Sequence, residues 1–303
     1  MVTNRVAENK LQLLRSEKLD RLAWLVHAFS TRPGGVSRAY GGNTLNLGFT
    51  KQDSRAAVER NRELFLKELG VANGRKSWPL VALRQIHSDL IHRVDGMRVD
   101  GMRVDRIPEQ PLVGDGMVTD TPGLLLAVQT ADCLPIIVAD GKRLAVGVFH
   151  AGWRGTVKRI VEKGVGEMRK HFGSDPRDLV VAIGPGIQGC CYEVGEEVLT
   201  RFEAQFAYAG SLFREVKESD PVREKYPLLF LTARAPGHSE WPVKLFLDLV
   251  EANRRQLLDA GVLAKNIETA APCTACHPAL LFSFRAEKGV TGRQMAVAGI
   301  RPE

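Results

Sequence analysis

Three residues of this chain have the types and settings to do chemistry together. They are His87 in Gln85-Ile-His-Ser-Asp89, Cys133 in Thr130-Ala-Asp-Cys-Leu-Pro135, and His150 in Phe149-His-Ala-Gly-Trp-Arg-Gly155. Two imidazoles and one thiolate are the number and kind of ligands that a catalytic zinc site uses when its fourth position stays open. Without a metal, the same residues make a Cys-His pair for nucleophilic catalysis, with Cys133 as nucleophile and His150 as base. Asp132, next to Cys133, could act as a general acid or base, or orient His150 from behind. Both chemistries belong to an enzyme. Copper competes with zinc for such a set, since His and Cys ligands suit both metals.

The elements that must position these residues follow from pattern. His150 ends an apolar run over residues 144–150, and Cys133 stands just before a second run over 135–139. The turn signal Asp140-Gly141 between them predicts an antiparallel hairpin, which brings the two side chains within reach of each other. A third β-type run over 80–87 is expected to end at His87 on the same sheet edge. Further strands are expected over 22–30, 116–119, 124–130, 179–183, 268–269, 280–284 and 296–300. Helical patterns cover 54–69, with Asp53 or Ser54 as N-cap, and then 156–172, 193–206 and 243–260. A tandem Val-Asp-Gly-Met-Arg unit at 94–103 suggests an extended surface hairpin or mobile loop, and 220–240 a long surface excursion. Strands and helices mix without strict βαβ alternation, so the pattern predicts a single α+β domain with mixed sheets.

Bulk composition removes several classes. The 303 residues carry a formal charge of +7, which favours anionic ligands such as phosphate. No run of five basic residues occurs, and four Trp and four Tyr leave little for base stacking, so a nucleic-acid groove is not expected. Arg32, Arg154, Arg285 and Arg293 lie in Gly-rich or turn-like contexts where a guanidinium can grip phosphate with two hydrogen bonds. The five cysteines are not spaced as a disulfide framework, and no apolar run has the length of a signal core or a membrane span. A soluble, reduced, cytoplasmic protein is expected, with no membrane partner. Gly184-Pro-Gly-Ile-Gln-Gly189 matches a dinucleotide fingerprint. However, Pro185 inside the turn and the following Cys-Cys-Tyr are no helix start.

Several blocks together resemble the YfiH family. They are Ser30-Thr-Arg-Pro-Gly-Gly-Val-Ser37, Asn46-Leu-Gly48, Gln85-Ile-His87, the segments around Cys133 and His150, Ile183-Gly-Pro-Gly186 with Cys191-Tyr-Glu-Val194, and Thr291-Gly-Arg293. That family was long labelled multicopper polyphenol oxidase or laccase-domain protein and is now described as a purine nucleoside phosphorylase. The resemblance runs from about Leu25 to the C-terminus. Ser88, where members often carry Gly, and the tandem insertion depart from the family pattern without touching a ligand position. The resemblance implies one catalytic domain over 1–303, with 1–21 an N-terminal extension. Its fold would be an α-β-β-α sandwich similar to the cytotoxic necrotizing factor catalytic domain. It implies zinc on His87, Cys133 and His150. For phosphorolysis, one or more of Arg32, Arg154, Arg285 and Arg293 could then hold the phosphate oxygens beside the metal, with Asn46 a further candidate for substrate binding. The implied activities are phosphorolysis of adenosine, inosine, guanosine and 5′-methylthioadenosine, plus adenosine deamination. Two rivals stand beside this reading. One is a metal-free Cys133-His150 hydrolase or deamidase acting on a peptide or cell-wall precursor. The other is a copper-dependent polyphenol oxidase, for which seven histidines with no H-x-H pair are few.

Overall fold

The computed structural model describes residues 11–73, 76–96, 98–99, 102–103, 112–217, 225 and 243–302. The chain divides into two compact units, one running to Ile187 and resuming at Leu249, the other spanning Gln188–Asp248.

The larger unit is built on two mixed sheets. The first has five strands in the order β1 (Leu13–Leu14), β2 (Leu25–Ser30), β19 (Gln294–Ile300), β11 (Leu125–Thr130) and β6 (Leu80–Ala82). The second has eight, in the order β18 (Ile267–Glu268), β14 (Leu179–Ile183), β12 (Leu134–Asp140), β13 (Ala145–Ala151), β10 (Gly116–Thr119), β7 (Ile91–Asp95), β8 (Arg98–Val99) and β9 (Met102–Arg103). Strand β3 (Pro33–Ser37) and the small pair β4 (Ala72–Asn73) and β5 (Lys76–Ser77) lie outside both sheets. Most pairings are antiparallel, whereas β6 with β11, β7 with β10, and β14 with β18 run parallel.

The period-2 geometry of a strand decides what each sheet face buries. Leu25 and Phe29 of β2, Leu126 and Val128 of β11, and Ala296, Ala298 and Ile300 of β19 point between the sheets. There they meet Met117, Ile137, Ala139, Val146, Val148 and Ala182 from the eight-stranded sheet. The alternate residues Val26, Ala28, Leu125, Ala127, Met295 and Val297 face outward, onto Phe65 and Leu69 of the helix α2 (Arg55–Glu68) region. On the far face of the larger sheet, helix α4 (Ile160–Phe172) lies over β13, β10 and β7 and contacts helix α6 (Leu249–Asp259). Phe149 fills that seam, since a Cβ at Gly164 of α4 would fall 2.5 Å from its ring. The layers are therefore helix, sheet, sheet, helix, with both faces of the central strands buried, which is why they read as continuous apolar runs.

Several expected boundaries move. The helical pattern at 156–172 is two helices, α3 (Trp153–Val157) and α4, separated by Arg159 at φ 63. The Thr156 carbonyl accepts from Gln256 Nε2 of α6 and from the Arg159 amide, which ends the first helix there. Residues 80–87 hold a strand only over Leu80–Ala82, and 280–284 forms a turn with no strand. Residues 13–20, expected within an N-terminal extension, form β1 on the sheet edge and the short helix α1 (Glu17–Asp20), with Leu19 fully buried. The described part of the Val-Asp-Gly-Met-Arg tandem is an antiparallel meander, with Val94 opposite Val99 and Val99 opposite Met102.

The smaller unit carries a three-stranded antiparallel sheet in the order β15 (Glu193–Val194), β17 (Val243–Leu247) and β16 (Phe213–Lys217), with helix α5 (Glu196–Glu203). Two helical patterns thus begin as strands. In β17, Leu245 and Leu247 are the most buried residues, which is the alternation of a strand and not the stripe of a helix. The excursion expected over 220–240 lies outside the described residues apart from Lys225.

Candidate active site and metal centre

The expected β12–β13 hairpin forms, with Leu134 opposite Ala151 and Pro135 opposite His150, but its turn is longer than Asp140-Gly141: Asp140 pairs with Ala145 and residues 141–144 make the turn. Cys133 stands one residue before β12, so its thiol meets the His150 ring at the end of the hairpin. The His87 and His150 rings are 5.0 Å apart at an interplanar angle of 71°. One ligand atom from each of His87, Cys133 and His150 lies within 4.8 Å of the others. A tetrahedral zinc with two nitrogen ligands and one sulfur ligand requires separations of about 3.5 Å, so these residues fit a metal with only a small inward movement. Gly152 allows the approach, because a Cβ there would lie 2.8 Å from Cys133 Sγ and 3.0 Å from His87 Cδ2.

His87 reaches this place by a route its sequence run does not suggest. It sits in a loop in the left-handed region, at φ 58, a conformation that costs a non-glycine residue about 1–3 kcal/mol and persists only when the surroundings enforce it. The enforcing group is Asp115, fully buried just before β10. Its Oδ2 accepts from the amides of Ile86 (3.2 Å) and Ser88 (2.6 Å) and from Ser88 Oγ (2.6 Å), and its Oδ1 accepts from the His87 amide (3.0 Å). Oδ1 also pairs with His150 Nδ1 at 2.8 Å, which leaves Nε2 as the ring nitrogen that faces Cys133. One carboxylate therefore fixes both histidines. The orienting partner of His150 is Asp115 and not Asp132.

The electrostatics follow from these contacts. Burial raises the Cys133 thiol, but attraction to His150 and hydrogen bonds from His150 and His87 outweigh it and bring the thiol from 9.0 down to about 6. Burial likewise disfavours charge on His150, yet Cys133 and the Asp115 hydrogen bond carry it up to about 9. Asp115 is also penalised by burial, and hydrogen bonds from His150 and Ser88 hold it well below the usual carboxylate range. Cys133 is thus poised as a thiolate, the form in which cysteine binds metal or attacks an electrophile.

Asp132 does something else. At φ 99, and 8 % exposed, it spends its carboxylate on Thr274 Oγ1 and Ser283 Oγ, both 2.7 Å from Oδ1, and on the Arg285 amide, 2.6 Å from Oδ2. It anchors the 283–285 turn beside Cys133 and has no bond to His150 among those described. Arg32 is similarly committed, to Glu287 Oε1 and the carbonyls of Pro278 and Tyr40. Asn46 is buried, and its side chain holds Gly48, Asp53 and the Arg293 amide. Arg285 and Arg154 are exposed, the latter with its guanidinium 4.4 Å from the ring of Trp153. Arg293 is part-buried, and its Nη1 donates to the carbonyls of Thr291 and Gly292. Sequence reasoning missed Asp115, Ser88 and Gly152. A signal for Asp115 did exist: the carboxylate sits between two glycines just before a strand, at the position that faces His150 once Gly116 pairs with Phe149.

The geometry agrees with the company this chain keeps. The purine nucleoside phosphorylase YlmD of Geobacillus stearothermophilus is 35 % identical over 283 residues, covering 93 % of this chain and 92 % of that protein. An adenosine deaminase from an unknown prokaryotic organism is 34 % identical over 90 % of this chain and 94 % of its own length. The crystal structure of the Bacillus licheniformis hypothetical protein YfiH superimposes with a TM-score of 0.76 at 30 % identity, covering 98 % of each chain. The profile of the multi-copper polyphenol oxidoreductase laccase family matches residues 26–301, and the chain belongs to that family.

Proposed function

We propose that this protein is a zinc-dependent enzyme of purine nucleosides, cleaving adenosine, inosine, guanosine and 5′-methylthioadenosine with phosphate and also deaminating adenosine. The observation that carries the reading is the convergence of His87, Cys133 and His150, oriented by one buried carboxylate, in a chain related over most of its length to enzymes so named. The metal supplies Lewis acidity when bound.

The chain's own residues supply the rest. His87, His150 and the Cys133 thiolate would hold the ion; the thiolate and the Asp115 carboxylate behind His150 would together balance a divalent charge, so the attraction for an anion rests on the arginines as well. Asp115 keeps the His150 Nδ1 proton on its own side and so presents Nε2 as a ligand. Arg285 and Arg293 are the guanidiniums for phosphate oxygens, with Arg154 a further cation at the start of α3. Arg32 and Asn46 act through others, since their polar atoms are already taken; Asn46 sets the place of Arg293.

A second reading keeps an observation of its own. Cys133, His150 and Asp115 stand in the order nucleophile, base and orienting acid, which is the arrangement of a cysteine hydrolase. The polyphenol oxidase reading has less support. Of the described histidines, His92 and His277 are bonded to the carbonyls of Val113 and Cys273, and His27 is buried against the Ser16 amide. Among the described residues only His87 and His150 meet at a candidate metal centre, too few imidazoles for a multicopper cluster.

The experiment is to incubate metal-quantified protein with adenosine, with and without phosphate, and to resolve the products by chromatography. Adenine formed only with phosphate establishes phosphorolysis, and inosine formed without it establishes deamination. No conversion by protein carrying a full equivalent of zinc overturns the proposal in favour of Cys133 hydrolase chemistry.

A further inference from the structure

The nucleoside reading leaves open what holds the base, and one segment beside the metal residues has the chemistry for it. Chain Leu281-Phe-Ser-Phe-Arg285 passes from a buried stretch into the open. Leu281, Phe282 and Ser283 are fully buried, and Phe284 emerges with half of its surface exposed. A half-bare phenyl ring is costly to leave in water, and its place here is fixed from both sides. Ser283 Oγ donates to Asp132 Oδ1 at 2.7 Å and the Arg285 amide to Asp132 Oδ2 at 2.6 Å. The residue that clamps Phe284 in this way is the immediate neighbour of Cys133. Asp132 accepts left-handed backbone to do so, at φ 99, which marks the clamp as enforced.

The ring's other surroundings are also fixed. The guanidinium carbon of Arg293 lies 5.9 Å from its centroid, and the Arg293 amide is held by Asn46 Oδ1 at 2.9 Å. Gly289, at φ 91, passes so close that an added Cβ would lie 3.4 Å from Cζ of Phe284. An aromatic face beside a pinned cation, tied through one carboxylate to the residue next to Cys133, matches a flat heteroaromatic ring whose ribose carries the reacting carbon towards phosphate.

Resting on the proposed function, we infer that Phe284 is the base-recognition residue of this site and that the purine stacks on its ring. A phenyl ring offers a π-face and no hydrogen-bond donor or acceptor, so it selects the ring class without reading the exocyclic groups. Adenine, hypoxanthine and guanine would be held alike, which suits one enzyme acting on several nucleosides.

The test is Phe284→Ala, with Phe284→Tyr as the conservative variant, in zinc-loaded protein of measured metal content. KM is measured separately for adenosine, inosine and phosphate, together with inhibition by free adenine. Base–aromatic stacking predicts that Phe284→Ala raises the KM of both nucleosides, and the adenine inhibition constant, by about 5- to 150-fold. The factor should be similar for both nucleosides, with phosphate KM and metal content unchanged and Phe284→Tyr near wild type. Unchanged nucleoside KM and adenine inhibition overturn this inference alone. So does a loss that falls equally on phosphate or goes with loss of metal. A wild-type protein that converts no purine nucleoside removes the proposed function and this inference with it.

Discussion

Replacing Asp115 by asparagine tests whether one carboxylate builds the metal site. Asp115 takes five hydrogen bonds, three from backbone amides, one from Ser88 Oγ and one from His150 Nδ1. The amide of an asparagine would offer a single oxygen for them. If that oxygen serves Ile86 and Ser88, the new NH2 group faces the His87 amide and His150 Nδ1. His150 can then accept only by moving its proton to Nε2, which removes the nitrogen that a metal needs. If the amide is turned the other way, its NH2 opposes the donors of Ile86 and Ser88, and the left-handed His87 loop loses what enforces it. Neither orientation keeps both histidines. Removing an outer partner of a metal-binding histidine typically costs 10- to 100-fold in metal affinity, and this range is expected for Asp115→Asn. Breaking a buried charged pair from one side should also lower metal-free stability by about 3–5 kcal/mol. Zinc affinity is measured by competition with a chromophoric chelator, and stability by urea denaturation of the stripped protein. Ser88→Ala is the control, since it deletes one donor without touching His150; it should cost about 1 kcal/mol of stability and leave zinc affinity alone. Zinc affinity within about threefold of wild type in a folded Asp115→Asn protein would refute the assignment, because it falls below the tenfold minimum expected.

Two further outcomes follow from the same geometry. Gly152→Ala adds a methyl 2.8 Å from Cys133 Sγ at a position with ordinary backbone angles, φ −79 and ψ 171. The fold should survive by circular dichroism while zinc affinity falls at least about tenfold, since thiolate and imidazole must both give way. In metal-stripped protein, alkylation of Cys133 followed by site-resolved mass spectrometry should rise with pH through about 6, because the folded-state thiol lies below its ordinary 9.0. The thiolate is then nearly complete at neutral pH and is lost only as pH falls through that value. His150→Ala should move the midpoint upward, and bound zinc should suppress the reaction. A wild-type midpoint near the ordinary 9.0 would contradict the thiolate–imidazolium pair.

How much could be read from the chain alone depended on how local the cause was. The hairpin that joins Cys133 to His150 was legible as a pairing because its cause is local, two apolar β-runs with a turn signal between them; its register was not, since Asp140 pairs with Ala145 and the turn is the four residues 141–144. Helix α2 was legible for the same reason, with Ser54 as its N-cap and its start and end near the expected ones. The α+β class with mixed sheets also followed from the order of the runs. Other features were set by distant partners. Residues 156–172 have a continuous helical stripe, yet they break at Arg159, where Gln256, a hundred positions away, takes the Thr156 carbonyl. His87 was legible as a candidate ligand by type, but not as a left-handed loop residue, because the carboxylate that holds it arrives from elsewhere in the chain. Asp132 and Asp115 make the same point as a pair. Neighbourhood offered Asp132, which adjoins Cys133, either as a general acid or base or as the partner of His150. Cross-strand pairing gave that role to Asp115 and turned Asp132 towards Thr274, Ser283 and Arg285. Sequence by itself determined the chemical inventory and the hairpin that carries two of its three residues, because residue type and short-range periodicity are local properties. Only the tertiary structure decided which carboxylate serves which ligand, because a buried acid must satisfy its oxygens with whatever donors the fold brings within about 3 Å.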